Sequence, residues 1–150
     1  MSTTPDTTTA IRKTRSVPIP PDAAFELFTT RMGAWWPLDS HALSDTATDV
    51  RWDDHVGGRV VEIDSAGTEY PWAEITVWDP PRRLALAWHL DRDRATATTV
   101  DVRFEPAAAG CTVHLEHSGW ENMGEAAVEA RAGYTEGWEP VLDLLVDAAG

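Results

Sequence analysis

Hydrophobic and polar residues alternate along most of the chain, and this period of two is typical of β-strands with one buried face. The alternation is clearest at Leu84, Leu86 and Trp88, which are separated by single residues. Turn residues, such as Gly57-Gly58 and the run at 79–81, separate the alternating segments. Together these patterns predict six or seven strands, over residues 11–17, 50–52, 59–63, 70–78, 84–88, 98–104 and 111–117.

The period changes to three or four residues in two places, which predicts helices. A short helix begins at Pro21 or Asp22, because proline is tolerated and aspartate is favoured in a first turn, and it ends near Gly33. A long amphipathic helix begins near Glu121. Its broad stripe consists of Val128, Arg131, Tyr134, Trp138, Val141, Leu142 and Leu145.

The order of these elements predicts an α+β fold. A curved antiparallel sheet of about six to seven strands wraps around a long C-terminal helix, with one or two short helices after the first strand. One domain is the default for 150 residues. We predict that residues 1–9, which are rich in Thr, form a disordered tail and that residues 10–150 form a single domain.

Composition narrows the classes of partner. The net charge of -13, without a basic patch, argues against nucleic acid and against an anionic membrane surface. No signal peptide and no membrane-spanning run is recognisable, and the single cysteine, Cys111, excludes an intrachain disulfide, so we expect a cytoplasmic protein. The 8 tryptophans, against 3 phenylalanines and 2 tyrosines, indicate a bulky, partly polar interior or a binding cavity.

Six short motifs follow one another along the chain. They are PPDAAFELF at 20–28, WWP at 35–37, GGRV at 57–60, WDPPRRL followed by a Trp at 78–88, HSGW at 117–120 and YTEGW at 134–138. In this order they resemble the START-like helix-grip superfamily, also called SRPBCC, and within it the branch named after the activator of Hsp 90 ATPase. The resemblance covers roughly residues 11–147 and implies the START-like helix-grip fold.

This resemblance implies a cavity between the sheet and the long helix that holds an apolar small molecule. The superfamily includes lipid or sterol carriers, polyketide cyclases, plant hormone-binding proteins and co-chaperones, so the fold does not determine the function. The Hsp 90 activators carry an additional N-terminal region that docks the chaperone, whereas about ten residues precede the first strand here. We therefore expect no chaperone partner. The sequence does not decide whether the protein forms a homodimer.

We predict a ligand surface of aromatic side chains with a few polar groups that orient the ligand. Each Trp buries about 200 Å², which leaves little room for a large lipid. Glu74 lies in the cavity if the Trp72–Trp78 face of its strand is concave and is solvated if that face is convex, and Glu62 raises the same question. Arg131 is either the charge partner of a buried Glu or a snorkelling side chain. The predicted ligand-binding residues are Trp35, Trp36, Trp72, Glu74, Trp88, His117, Trp120, Arg131, Tyr134 and Trp138.

His117 alternates with Val113 and Leu115, which points its side chain inward. We interpret it as a core histidine bonded to the following turn or to a Trp, and the alternative is a general base. His114, Glu116 and His117 have a spacing that suggests metal ligands. A regular strand, however, sends His114 and His117 to opposite faces, and no third ligand is evident, so neither a metal nor another cofactor is expected.

The function predicted from the sequence is non-enzymatic binding of a small hydrophobic or aromatic ligand between the sheet and the C-terminal helix. A nucleophile motif of the Gly-x-Ser-x-Gly type and a phosphate-binding loop are both missing from the sequence. One alternative is a polyketide cyclase- or dehydratase-like enzyme in which an inward His117 or Glu74 moves protons, which requires two titratable groups near one point of the cavity. Another is a co-chaperone or protein-partner module.

Overall fold

Within residues 9–150, seven antiparallel strands form a sheet that curls around a long C-terminal helix, which confirms the predicted fold class. The computed structural model describes those residues, so the predicted disordered tail, residues 1–9, lies outside the described residues except for Thr9. The strands, in the sheet order β1-β7-β6-β5-β4-β3-β2, are β1 (Ile11–Val17), β2 (Ala47–Trp52), β3 (Arg59–Asp64), β4 (Glu69–Asp79), β5 (Arg83–Trp88), β6 (Thr98–Ala107) and β7 (Gly110–Ser118). The helices are α1 (Pro21–Phe28) and α2 (Ala127–Ala149), with 3₁₀ turns at Met32–Ala34, Arg94–Thr96 and Trp120–Ala126.

The three strands β5, β6 and β7 pair without a register shift, so their alternating apolar residues all face the concave side. Leu84 lies opposite Val102, and Val102 lies opposite Leu115 in the next strand. The helix α2 covers this face with Leu142 and Leu145, which are buried with the strand residues in one core. The predicted alternation is correct here because a strand without bulges sends every second side chain to the same face.

Two bulges interrupt β4, and they change which of its side chains face the core. The register shifts beside Trp72 and again beside Thr76, so each of these residues is an extra one against the neighbouring strand. Trp72 and Ala73 are consequently both buried, whereas Glu74 points to the convex face. The interpretation that Glu74 shares a face with Trp72 is wrong, because it assumed unbroken alternation.

The long helix begins six residues later than the sequence predicts. Residues Trp120–Ala126 form a 3₁₀ turn, and Gly124 inside it has φ 56° and ψ -126°, which is not a helical conformation. The α-helical hydrogen bonds therefore start at Ala127 and continue to Ala149. In the part of the chain from residue 9 onward, none of the helices is long and apolar enough to cross a membrane.

The hairpin that joins β6 to β7 depends on Gly110, which has φ +139°. A Cβ atom there would lie 2.5 Å from the Val17 carbonyl oxygen and 2.6 Å from the Ile19 nitrogen.

We predict that Gly110→Ala lowers the free energy of unfolding by about 2 kcal/mol or more, because backbone strain and a clash act together. Gly67→Ala is the control, since Gly67 has φ +84° and open space around it. Equal losses in urea denaturation of the two variants would contradict the clash.

Candidate functional site

A cavity of about 220 Å³ lies between α2, the ends of β4 and β5 and the loop that follows Trp36, and it opens to solvent on one side. Loop residues 40–43 and the side chain of Leu90 close part of it, and Gly137 and Val141 of α2 form its floor. Five aromatic side chains supply most of the remaining wall. They are Trp36, Trp72, Trp88, Tyr134 and Trp138.

These aromatic side chains come from four separate parts of the chain and touch one another. Trp36 lies 5.1 Å from Trp72 and 6.1 Å from Trp138 between ring centroids, and Trp72 lies 5.7 Å from Trp88. Such distances are those of favourable tilted and edge-to-face aromatic pairs. Tyr134 and Trp138 reach the same wall because residues four apart lie on one face of a helix. The wall is therefore preformed by mutual packing.

A buried carboxylate, Glu62, holds the loop against this wall. Its Oε1 accepts hydrogen bonds from the Leu43 amide at 2.7 Å and from the Trp72 indole Nε1 at 3.0 Å. Its Oε2 accepts a hydrogen bond from the Ser44 amide at 2.7 Å. The side chain is 0% exposed, and a carboxylate in such a place is stable only when donors surround it. Glu62 thus positions both the loop and one tryptophan of the cavity.

A second buried group, His117, lies behind the cavity wall. Its Nδ1 accepts a hydrogen bond from the Trp138 indole at 3.0 Å, and its Nε2 lies 2.7 Å from the Thr98 hydroxyl. Because an indole N–H can only donate, Nδ1 is unprotonated, and in the neutral ring Nε2 carries the proton and donates to Thr98. Burial lowers the pKa of His117 to about 3, with a smaller effect from Arg92. The neutral imidazole therefore orients Trp138, as a core histidine would.

Tyr134 and Trp88 are joined by a hydrogen bond within the cavity wall. The Trp88 indole Nε1 donates a hydrogen bond to the Tyr134 hydroxyl oxygen at 2.9 Å. Burial raises the pKa of Tyr134, and the hydrogen bond from Trp88 opposes that rise. The hydroxyl is thus protonated at neutral pH. Tyr134 is, with Ser40 and His41, one of the few lining residues that bring a hydroxyl or an imidazole to a mostly apolar wall.

Five of the ten predicted ligand-binding residues do not line the cavity. Trp35 is a core residue whose indole donates to the Leu27 carbonyl at 2.7 Å. His117 and Trp120 lie one layer behind the wall, with their rings 4.3 Å apart. Glu74 is half-exposed on the convex face, where the Arg94 guanidinium lies 3.1 Å away. Arg131 donates a hydrogen bond to the Thr9 carbonyl and, among residues 9–150, pairs with no carboxylate.

Some residues that line the cavity were not predicted from the sequence. Loop residues 40–43 lie in a stretch without periodicity, so no local pattern indicates that they fold over the sheet. Leu90 follows the end of β5 and has no pattern either. Glu62 did carry a signal, since it occupies the same strand parity as the buried Val60. A charged residue at an inward strand position is the mark of a buried, bonded group.

His114 and His117 lie on opposite faces of β7 and cannot bind the same metal ion. His117 points into the core, whereas His114 lies on the convex face with its Nε2 3.8 Å from a Glu105 carboxylate oxygen. Across residues 9–150, no group of three or more His, Cys, Asp or Glu side chains comes together in a way that could hold a metal ion.

Residues 18–150 match the family model described as activator of Hsp90 ATPase homolog 1-like protein. None of the curated proteins matches the chain. Among solved structures, the chain is similar to Txn09, an anthrahydroquino-gamma-pyrone synthase complexed with a ligand named SUM. The two are 34% identical, with 80% of this chain and 82% of that chain covered and a TM-score of 0.60.

Two other similar structures agree in fold at lower identity. The Aha1 dimer from Colwellia psychrerythraea is 17% identical, with 94% of this chain and 96% of that chain covered and a TM-score of 0.69. Protein MLL2253 from Mesorhizobium loti is 17% identical, with 93% and 95% covered and a TM-score of 0.67. Likenesses at this level of identity establish the fold alone.

We predict that Glu62→Gln releases the loop over the cavity. The amide of Gln keeps one acceptor but turns an NH₂ toward a backbone N–H, so at least one of the three donors loses its partner. The expected loss is about 2–3 kcal/mol of unfolding free energy, with faster hydrogen exchange at the Leu43 and Ser44 amides. Glu69→Gln is the control, because Glu69 is an exposed ion-pairing residue of β4. If the Leu43 and Ser44 amides exchange as slowly in Glu62→Gln as in the wild type, Glu62 does not hold the loop in place.

We predict that His117 makes the protein less stable as the pH falls from 7 to 4.5. The folded pKa of about 3 lies below the ordinary value of 6.5, so the unfolded chain binds more protons in this range and stability decreases with decreasing pH. The loss is about 2–3 kcal/mol at pH 4.5. The pKa of His89 is also lowered, mainly by burial, and acts in the same direction.

A comparison with His117→Gln isolates the contribution of His117. A Gln side chain can accept a hydrogen bond from Trp138 or donate one to Thr98, but it does not titrate. The unfolding free energy of the His117→Gln variant should therefore vary less with pH over the same range. Asp64, Glu69 and Glu139 have lowered pKa values, so their protonation matters chiefly below this range. Parallel curves of unfolding free energy against pH for the two proteins would show that His117 does not contribute.

Proposed function

The chain belongs to the family of activator of Hsp90 ATPase homolog 1-like proteins, and on that premise we propose that it binds a small planar aromatic molecule in the cavity between the curled sheet and α2. The observation that carries the proposal is the wall of four tryptophans and one tyrosine around about 220 Å³ of space. Aromatic faces at fixed positions favour a flat apolar ligand, because they offer a large contact area at little cost in side-chain entropy.

The size of the cavity limits the ligand. Pockets for drug-sized molecules enclose roughly 300–1,000 Å³, so about 220 Å³ suits a compound of one or two fused rings, or one end of a larger compound that projects through the open side. A bulky lipid does not fit this space. The small hydrophobic or aromatic ligand expected from the sequence is thus limited to a compound with one or two fused rings, or to the end of a larger one.

A ring-forming enzyme is the second candidate, and the likeness to Txn09 favours it. That protein is described as a synthase of an anthrahydroquino-gamma-pyrone and is 34% identical to this chain. His41 and Tyr134 are the titratable side chains at the cavity wall within residues 9–150, so proton transfer here would depend on them. His117 and Glu74, to which the sequence first assigned that role, do not line the cavity.

A homodimer is a further proposal, supported by the Aha1 protein from Colwellia psychrerythraea, which was solved as a dimer. Neither a chaperone nor any other protein partner is needed for the ligand-binding role. The cavity wall described above comes from a single chain.

We predict that Gly137→Leu blocks ligand binding without unfolding the protein. Gly137 lines the cavity, and a Cβ atom there meets only the His41 Nε2, at 4.0 Å. The new side chain therefore extends into the cavity, while leucine in place of glycine favours the helix by about 0.8 kcal/mol. Affinity for naphthalene or indane, measured by calorimetry and saturation-transfer NMR, should fall about tenfold or more, which corresponds to 1.4 kcal/mol.

Gly133→Leu is the matched control, because Gly133 lies in the same helix, is exposed and does not line the cavity. It should gain the same helix stability and keep the wild-type affinity. Equal affinities in both variants, or no binding of either compound to the wild type, would overturn the proposed site.

A further inference from the structure

The indole N–H groups of the cavity wall are all used within the protein. Trp36 donates to the His41 carbonyl at 2.8 Å, Trp72 to Glu62 at 3.0 Å and Trp138 to His117 at 3.0 Å. Trp88 donates to Tyr134 at 2.9 Å. An indole has one N–H and no acceptor, so these four side chains offer a ligand their ring faces and no hydrogen bond.

Tyr134 differs from the other four aromatic side chains. Its hydroxyl oxygen accepts the Trp88 hydrogen bond, which occupies one lone pair and restricts the directions left for the O–H proton. Among residues 9–150 the hydroxyl makes no hydrogen bond as a donor. A phenol at an apolar wall with its proton unused is a donor that a ligand can satisfy.

The charge around the cavity determines which acceptor suits this donor. No Lys or Arg lines the cavity within the described part of the chain, and the net charge of the protein is -13. A carboxylate ligand would lose its hydration with no Lys or Arg among residues 9–150 to replace it, and His41 is the one imidazole that those residues bring to the wall, so burial of the carboxylate is costly. A neutral carbonyl oxygen loses far less on desolvation and accepts one hydrogen bond well. Burial also keeps the Tyr134 hydroxyl protonated at neutral pH.

We propose that Tyr134 determines ligand specificity by donating a hydrogen bond to a neutral carbonyl oxygen on a fused-ring ligand, of the ketone, quinone or pyrone class. The proposal rests on the proposed function, since it concerns the same cavity. It assigns the tryptophans to stacking and the tyrosine to selection among stacked compounds. It predicts that hydrocarbons bind by shape alone and that ring ketones gain an additional interaction.

The test compares 1-indanone with indane, two compounds of nearly the same shape that differ by one carbonyl oxygen, in the wild type and in Tyr134→Phe. The variant should bind 1-indanone about fivefold more weakly than the wild type, as expected for one hydrogen bond. Its affinity for indane should stay within about twofold. Calorimetry or ligand-observed NMR gives all four affinities.

The outcomes separate the two proposals. Loss of affinity for both compounds to the same degree, or for neither, would overturn the role of Tyr134 while the binding site stands. Failure of the wild type to bind either compound would overturn both the binding site and the role assigned to Tyr134.

If Tyr134→Phe does not fold, a measurement on the wild type alone decides the point. The carbonyl stretch of bound 1-indanone should lie at lower frequency than in cyclohexane, because a hydrogen bond weakens the C=O bond. A frequency equal to that in cyclohexane would show that no donor reaches the oxygen and would overturn the proposal.

Discussion

The carboxylate of Glu62 is the group on which the shape of the cavity depends. It has no exposed surface, and three N–H groups from two distant parts of the chain converge on it. A buried charge without such donors would cost several kcal/mol, so the donors and the carboxylate hold one another in place. The loop over the cavity and the indole of Trp72 are thus held by a single side chain of β3.

The same requirement for satisfied polar groups explains how so many tryptophans can build a rigid wall. Each indole N–H of the cavity wall has an acceptor of a different kind: a backbone carbonyl, a carboxylate, a phenol and an imidazole. These bonds restrict rotation of the rings, so the wall keeps its shape without a ligand. His117 belongs to this system as the acceptor for Trp138, and its neutrality is a consequence of the burial that the role requires.

The fold is shared by proteins with different roles, so the function must be argued from the cavity. The similar structures illustrate this, since one is a synthase and another is an Aha1 protein solved as a dimer. Here the wall is mostly aromatic and, within residues 9–150, has no Lys or Arg, and one hydroxyl donor among its aromatic side chains is unused. That chemistry is what supports the proposed binding of a small planar molecule. The ion pair of Glu74 and Arg94 is exposed and lies outside the cavity wall.

The sequence by itself determined the order of strands and helices, the inward face of β5 to β7 and the inward position of His117. These features follow from unbroken local periodicity, which a single sequence displays. Only the tertiary structure decided that Trp72 faces the cavity while Glu74 does not, because the bulges in β4 arise from pairing with its neighbours. It also decided that residues 40–43 close the cavity. Their place depends on hydrogen bonds to Glu62, 18 or more residues away, and a contact at that distance along the chain leaves no period in the sequence.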